Sequence, residues 1–143
     1  MFLGESRHSL DPKGRLTIPA RFRANLGSVI YATKGLERCI FIYTTEEWKK
    51  LEEKISALPF TKGDVRAFTR IFFSGASELE IDKQGRVLLP ASLIEYASID
   101  KEIMIMGVGA RIELWSSEHW TAYEEEATHS FESITENLVD FGL

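Results

Sequence analysis

A chain of 143 residues, 44% hydrophobic and 27% charged, sits among soluble globular proteins and is long enough for one ordinary core or two very small domains sharing one. Its apolar runs, such as Ile103 to Val108, fall far short of the roughly 20 residues that cross a bilayer, and the start Met1-Phe2-Leu3-Gly4-Glu5-Ser6-Arg7 has no secretory h-region, so a cytoplasmic protein without a membrane partner is expected. The net charge of −5 is unevenly spread, because residues 116–143 hold seven acidic and no basic residues while everything before them nets +2, so the total says little about any one face.

The first predicted strand, His8 to Leu10, runs into Asp11-Pro12-Lys13-Gly14, which has the chemistry of a tight turn. Leu16 to Ile18 returns from it, giving a predicted hairpin. Pro19 stops that strand and suits the first turn of a short helix, Ala20 to Leu26. Strands Val29 to Ala32 and Cys39 to Tyr43 follow, joined through Gly35. Cys39 is the only cysteine; it cannot close an internal disulfide and is expected as a buried thiol. Thr44 with Glu47 forms a capping box, opening a helix whose apolar stripe is Trp48, Leu51, Ile55 and Leu58 and which Pro59 ends. A linking helix is predicted from Gly63 to Phe73, with Val65, Phe68, Ile71 and Phe72 toward the protein.

The pattern then restarts. Shifted by 71 residues, Leu10-Asp11-Pro12-Lys13-Gly14-Arg15-Leu16-Thr17-Ile18-Pro19-Ala20 aligns with Ile81-Asp82-Lys83-Gln84-Gly85-Arg86-Val87-Leu88-Leu89-Pro90-Ala91. After one inserted residue, Gly35, Ile40, Glu46 and Trp48 fall on Gly107, Ile112, Glu118 and Trp120. The second copy predicts strands Glu78 to Ile81 and Val87 to Leu89, helix Ala91 to Ala97, and strands Glu102 to Met106 and Arg111 to Trp115. Each half therefore reads β-β-α-β-β, a unit that cannot bury its apolar face alone. A final helix from Ser117 carries Trp120, Ala127, Phe131, Ile134, Leu138 and Phe141 at helical spacing, a stripe suited to packing on the body or a neighbouring subunit. The expected fold class is α+β, two halves interleaved into one β-barrel-like core with flanking helices. The expected division is a first repeat with its trailing helix at 1–58, a linking helix at 59–76, and a second repeat with its acidic helix at 77–143.

Arg15 and Arg86 each follow a turn glycine. Such arginines are commonly solvated charges that pair across the turn, here with Asp11 and Asp82. A turn needs Asp and Gly, however, and nothing in its geometry calls for Arg next to Gly in both copies. Arginine makes bidentate contacts to the O6 and N7 of guanine or to phosphate, and two-stranded ribbons fit the major groove. Double-stranded DNA is the partner these residues point to. Other chemistries find less support. His8, His119 and His129 have no zinc spacing with a single cysteine, Gly107-Val108-Gly109 lacks the last glycine of a dinucleotide fingerprint, and Asp-x-x-x-Arg at equivalent positions suits like binding loops better than a catalytic group. No metal, cofactor, small-molecule substrate or enzyme activity is expected.

Asp11-x-x-x-Arg15 and Asp82-x-x-x-Arg86, the start Met-Phe-x-Gly, Phe73-Ser74-Gly75-Ala76 and Glu113-Leu114-Trp115 together resemble the MraZ family over nearly the whole chain. The resemblance implies a duplicated relative of the AbrB-like swapped-hairpin, double-psi-like barrel proteins. It also implies a nucleoid-associated transcription regulator that forms rings and binds G-rich direct repeats in the promoter of the bacterial division and cell-wall gene cluster. Carried over to this chain, Arg15 and Arg86 are the readers and Asp11 and Asp82 orient them. Gly14 and Gly85 complete the turns, where Lys13 and Gln84 are further candidates for contacts to phosphate or base edges. The competing function is a ring-forming scaffold whose arginines only bridge subunits.

Overall fold

The computed structural model describes residues 1–142. Its strands are β1 (Glu5–Ser9), β2 (Arg15–Thr17), β3 (Val29–Lys34), β4 (Ile40–Thr44), β5 (Ser77–Glu80), β6 (Arg86–Leu88), β7 (Glu102–Val108) and β8 (Arg111–Ser116). Its α-helices are α1 (Ala20–Leu26), α2 (Thr45–Ser56), α3 (Gly63–Ser74), α4 (Ala91–Tyr96), α5 (Ser117–His129) and α6 (Phe131–Glu136). The α+β class and the β-β-α-β-β order of each half are as the sequence predicts.

Strand pairing interleaves the halves. One sheet runs β1-β7-β8-β4-β3-β5, and β2 pairs with β6 in a separate two-stranded ribbon. Each half's opening strand thus lies beside the other half's third strand, β1 on β7 and β5 on β3, and β4 on β8 joins the halves at the centre. Exchanging the repeats leaves this order unchanged, so the monomer has an internal pseudo-twofold axis. Two expectations are corrected here. The local hairpins do not continue past their turns, because β2 leaves β1 to pair with β6. The sheet is also not closed into a barrel, since β1 and β5 form its two edges and the β2–β6 ribbon lies over one face instead.

The middle strands alternate between two apolar faces, as a sheet covered on both sides requires. Ile30, Ala32, Ile40, Ile42, Ile103, Ile105, Ile112 and Leu114 meet Leu16, Ile18, Val87 and Leu89 of the ribbon strands and the loops leaving them, with Phe22 of α1 and Leu93 of α4. On the other face Phe41, Tyr43, Met104, Met106 and Trp115 pack with Trp48 and Ile55 of α2 and Phe72 of α3. Trp48 stacks on Tyr31 and Phe72 at 5.2 and 5.7 Å. Cys39 lies fully buried in this second core, and desolvation pushes its thiol well above the ordinary range. Glu113 is buried but satisfied: Arg111 donates Nε and Nη2 to Oε2 (2.9 and 2.7 Å), Trp115 donates Nε1 to Oε1 (3.0 Å), and Arg111 lies 4.2 Å over the Phe41 ring. A buried carboxylate needs such a partner set to offset its desolvation.

Local signals explain the helix ends. The Thr44 hydroxyl accepts the Glu47 N–H (3.1 Å) and caps α2. That helix ends at Ser56, ahead of Pro59, so Leu58 falls outside the stripe and is exposed. In α3 Phe72 turns inward, while Phe68 and Ile71, expected to face the protein, are exposed; the helix is pinned near its end, where Thr33 donates its hydroxyl to the Phe72 carbonyl (2.6 Å). The predicted long C-terminal helix is broken at Ser130, which serves as both the C-cap of α5 and the N-cap of α6. Trp120 packs on Trp115 at 5.2 Å, whereas Phe131, Ile134 and Phe141 are exposed. The amino terminus is held at Phe2, whose N–H and C=O both pair with Gly109 (2.8 and 3.0 Å). Gly107 is needed beside it, because a Cβ there would fall on the Phe2–Leu3 peptide.

Candidate nucleic-acid interface

Both Asp-x-x-Gly-Arg segments fold into the same closed turn. In the first, the Gly14 N–H donates to the Asp11 carbonyl (3.0 Å) and the Asp11 N–H to the Arg15 carbonyl (3.0 Å). Asp11 Oδ1 accepts the backbone N–H groups of Lys13 (2.9 Å) and Arg15 (2.8 Å), and Oδ2 accepts Arg15 Nε (2.6 Å). The second repeats this: Asp82 Oδ1 accepts from Gln84 and Arg86 (both 2.9 Å), and Oδ2 accepts Arg86 Nε (2.9 Å). Gly14 and Gly85 have φ of 83° and 78°, a left-handed conformation that glycine adopts without the Cβ penalty. The Arg15 backbone N–H is the largest influence holding the Asp11 carboxyl below its ordinary range, helped by the Arg15 guanidinium and the Lys13 N–H. Asp82 is lowered in the same way by Arg86 and Gln84.

The aspartates therefore build the turn and also orient the arginine. The cross-turn ion pair that a surface arginine ordinarily makes is present, yet it uses only Nε. Among the described residues, neither arginine makes a hydrogen bond to the protein through its terminal nitrogens. The Nη1/Nη2 edge of each fork is thus free for a bidentate acceptor, with the side chain's swing restrained by the carboxylate.

Both forks lie on the ribbon. Its register pairs Arg15 with Leu88, Leu16 with Val87 and Thr17 with Arg86. Leu16 and Val87 point into the core, so strand alternation places Arg15, Thr17, Arg86 and Leu88 together on the outer face. The turns are also fastened across the repeats: Leu89 donates its N–H to the Gly14 carbonyl (3.1 Å) and Ile18 to that of Gly85 (2.8 Å). All eight residues singled out in the sequence (Asp11, Lys13, Gly14, Arg15, Asp82, Gln84, Gly85 and Arg86) fall in these two neighbouring turns and the ribbon strands that leave them.

Three ribbon neighbours escape a linear reading. Thr17 and Leu88 flank the arginines only because β2 pairs with β6. Arg23 belongs to the first repeat but packs against the second turn, where a Cβ built on Gly85 would come within 2.7 Å of its guanidinium carbon. The repeat alignment was the available signal, because it places Arg23 opposite Ile94, which takes the same position against Gly14. The second turn is therefore less poor in basic groups than its own sequence suggests.

A family model described as "MraZ protein, putative antitoxin-like" matches the chain twice, over residues 1–71 and 72–142. The chain is 57% identical over 143 residues to the protein named transcriptional regulator MraZ of Heliobacterium modesticaldum, covering the whole of both chains. It is 58% identical to that of Syntrophomonas wolfei, again over the whole of both. It is also 54% identical over 140 residues to that of Desulforamulus reducens, spanning 98% of this chain and 99% of the relative. With the duplicated turn, the free arginine forks and a match over both repeats, the chain belongs to the MraZ family.

Proposed function

We propose that the protein is a sequence-specific DNA-binding transcription regulator and not an enzyme, reading G-rich direct repeats in the promoter of the division and cell-wall gene cluster. One observation carries this: two arginines with free Nη edges, each held by an aspartate, stand on one face of a two-stranded ribbon. A ribbon of that width enters the major groove, where O6 and N7 of guanine match the arginine fork. Arg15 and Arg86 read bases, Asp11 and Asp82 orient them, and Gly14 and Gly85 shape the turns. Lys13 and Gln84 contact phosphate or base edges and fix the register. The reading units are 1–58 and 77–143, joined through 59–76, and the β2–β6 ribbon is completed between them. The names of the relatives support the regulator reading.

The working form is a ring-shaped homo-oligomer in the cytoplasm at the nucleoid. Supporting this, Phe131, Val139 and Phe141, all beyond the helix break at Ser130, are 66%, 63% and 79% exposed, apolar surface that suits a neighbouring subunit. Several ribbons linked in one assembly multiply modest single-site affinities.

Mobility shifts on a duplex of G-rich direct repeats and on a scrambled duplex test the reading. The specific complex should form on the first alone and weaken steeply as salt rises, because each neutralised phosphate releases counterion. Equal binding to both duplexes would favour the scaffold.

A further inference from the structure

The pseudo-twofold axis preserves the arginines but not their neighbours. Directly across the ribbon, Arg15 faces Leu88 while Arg86 faces Thr17, and Thr17 and Leu88 hold equivalent places in the two repeats. Leu88 is 57% exposed. Its Cδ1 lies 4.0 Å, and that of Ile94 3.5 Å, from where a Cβ on Gly14 would be, so the corner around Arg15 is aliphatic. The corner around Arg86 is formed by Thr17 and Arg23 and is polar. A lone exposed leucine on a surface needs no explanation. Leu88 differs because its Cβ is about 5 Å from that of Arg15 on the same outward face.

In the major groove the C5-methyl of thymine is the one apolar group among the base-edge donors and acceptors. An aliphatic side chain beside a guanine-reading arginine reaches the neighbouring base pair, and of the four bases there only thymine offers it a hydrophobic contact. Thr17 at the other corner can hydrogen-bond to any base edge. We propose, building on the DNA-binding reading above, that Leu88 is a specificity-determining residue that packs on the C5-methyl of a thymine next to the guanine read by Arg15. The Thr17 and Arg23 corner makes no such demand. One nearly symmetric ribbon thereby recognises a site with a direction.

The test begins with selection from a synthetic duplex pool with a randomised core, using the full-length protein. The enriched duplex is remade with each thymine in turn replaced by deoxyuridine, which deletes only the methyl. It is then titrated with the parent and with Leu88→Ser, which has a hydroxyl as at Thr17 but carries no methyl. One replacement should weaken the parent about fourfold per contacted site, the value of one buried methyl, and should leave Leu88→Ser, which has no methyl to pack there, unaffected. The variant should keep the parent's melting temperature and assembly mass. The proposal is overturned if no replacement affects the parent, if parent and variant lose equally at every thymine, or if Leu88→Ser changes the assembly mass, which would place Leu88 between subunits. Binding that depends on Arg15 but ignores the methyl sinks this inference alone. A pool from which nothing is enriched sinks the DNA-binding reading and this inference with it.

Discussion

Leu89 donates its backbone N–H to the carbonyl oxygen of Gly14 at 3.1 Å, and 71 residues earlier in the repeat Ile18 does the same for Gly85 at 2.8 Å. Each turn is therefore made by one repeat and fastened by the other, so damage to either glycine is felt by both halves. Gly14→Val should cost about 1 to 2 kcal/mol from the left-handed backbone alone and should lose DNA binding with it. Gly85→Ala should melt lower than Gly14→Ala, because the new Cβ must displace Arg23 as well as adopt φ of 78°. Thermal melts of the two alanine variants check this; equal melting would mean that the Arg23 packing contributes nothing.

Reader and scaffold separate at the arginines. Arg15→Ala leaves the four backbone and Asp11 contacts of the turn in place and removes only a surface ion pair, which contributes about 0 to 1 kcal/mol, so the protein should stay folded. Losing a bidentate guanine contact should cost about 1 to 3 kcal/mol of binding per site, enough to abolish specific complexes in a linked assembly. Arg86→Ala should act in the same direction. By contrast Leu16→Ala, one residue along and fully buried, should lose about 2 to 5 kcal/mol of stability. Urea melts beside DNA titrations distinguish the two classes. An Arg15→Ala protein that melts far below the parent, or keeps its preference for the repeats, would make Arg15 structural.

Acid should undo the turns in a defined window. Asp11 and Asp82 are held below the ordinary carboxylate range in the folded protein, so their contribution is fully present above the unfolded-state value of about 4 and disappears as pH falls through the lower folded-state values. The stability difference between the parent and an Asp11→Asn, Asp82→Asn variant should therefore be constant near neutrality and shrink toward zero below about pH 4. Urea melts at stepped pH measure it. A difference that persists at strongly acid pH would show that the carboxylate charge is not its source.

The carboxyl-terminal segment offers a separate handle on assembly. Truncation before Ser117 removes Trp120 from its 5.2 Å contact with Trp115 and should dissolve the fold or the oligomer. Phe131→Ser with Phe141→Ser touches only exposed side chains, so the double variant should melt like the parent while light scattering shows a smaller particle. A parent that scatters as a monomer at micromolar concentration would refute the ring.

Much of this was legible in the sequence because the repeat doubles every signal. Two Asp-x-x-Gly-Arg segments placed the turns, two prolines ended the following strands, and the apolar runs Ile40 to Tyr43 and Ile103 to Met106 fall in strands that the structure buries on both faces. Partner choice was not legible. Strands of three residues such as Arg15–Thr17 are too short for periodicity to say whether they return on the preceding strand or cross to another repeat, and the turn chemistry alone favours the local hairpin. The ends of the stripes failed for a related reason. Phe68, Ile71, Phe131 and Phe141 have helical spacing, but spacing cannot tell a face covered within the chain from one left open. Arg23 stands near the first turn in sequence, and that proximity hides the exchange that carries it to the second.

The β2–β6 ribbon joins residues 15–17 to residues 86–88 of the same polypeptide. A protein carrying a single repeat could build that ribbon only by finding another molecule, and its reading surface would dissolve on dilution. Here the encounter is intramolecular and its effective concentration is fixed by the linking segment. Two copies of the protein in a whole cell would each still present a finished ribbon.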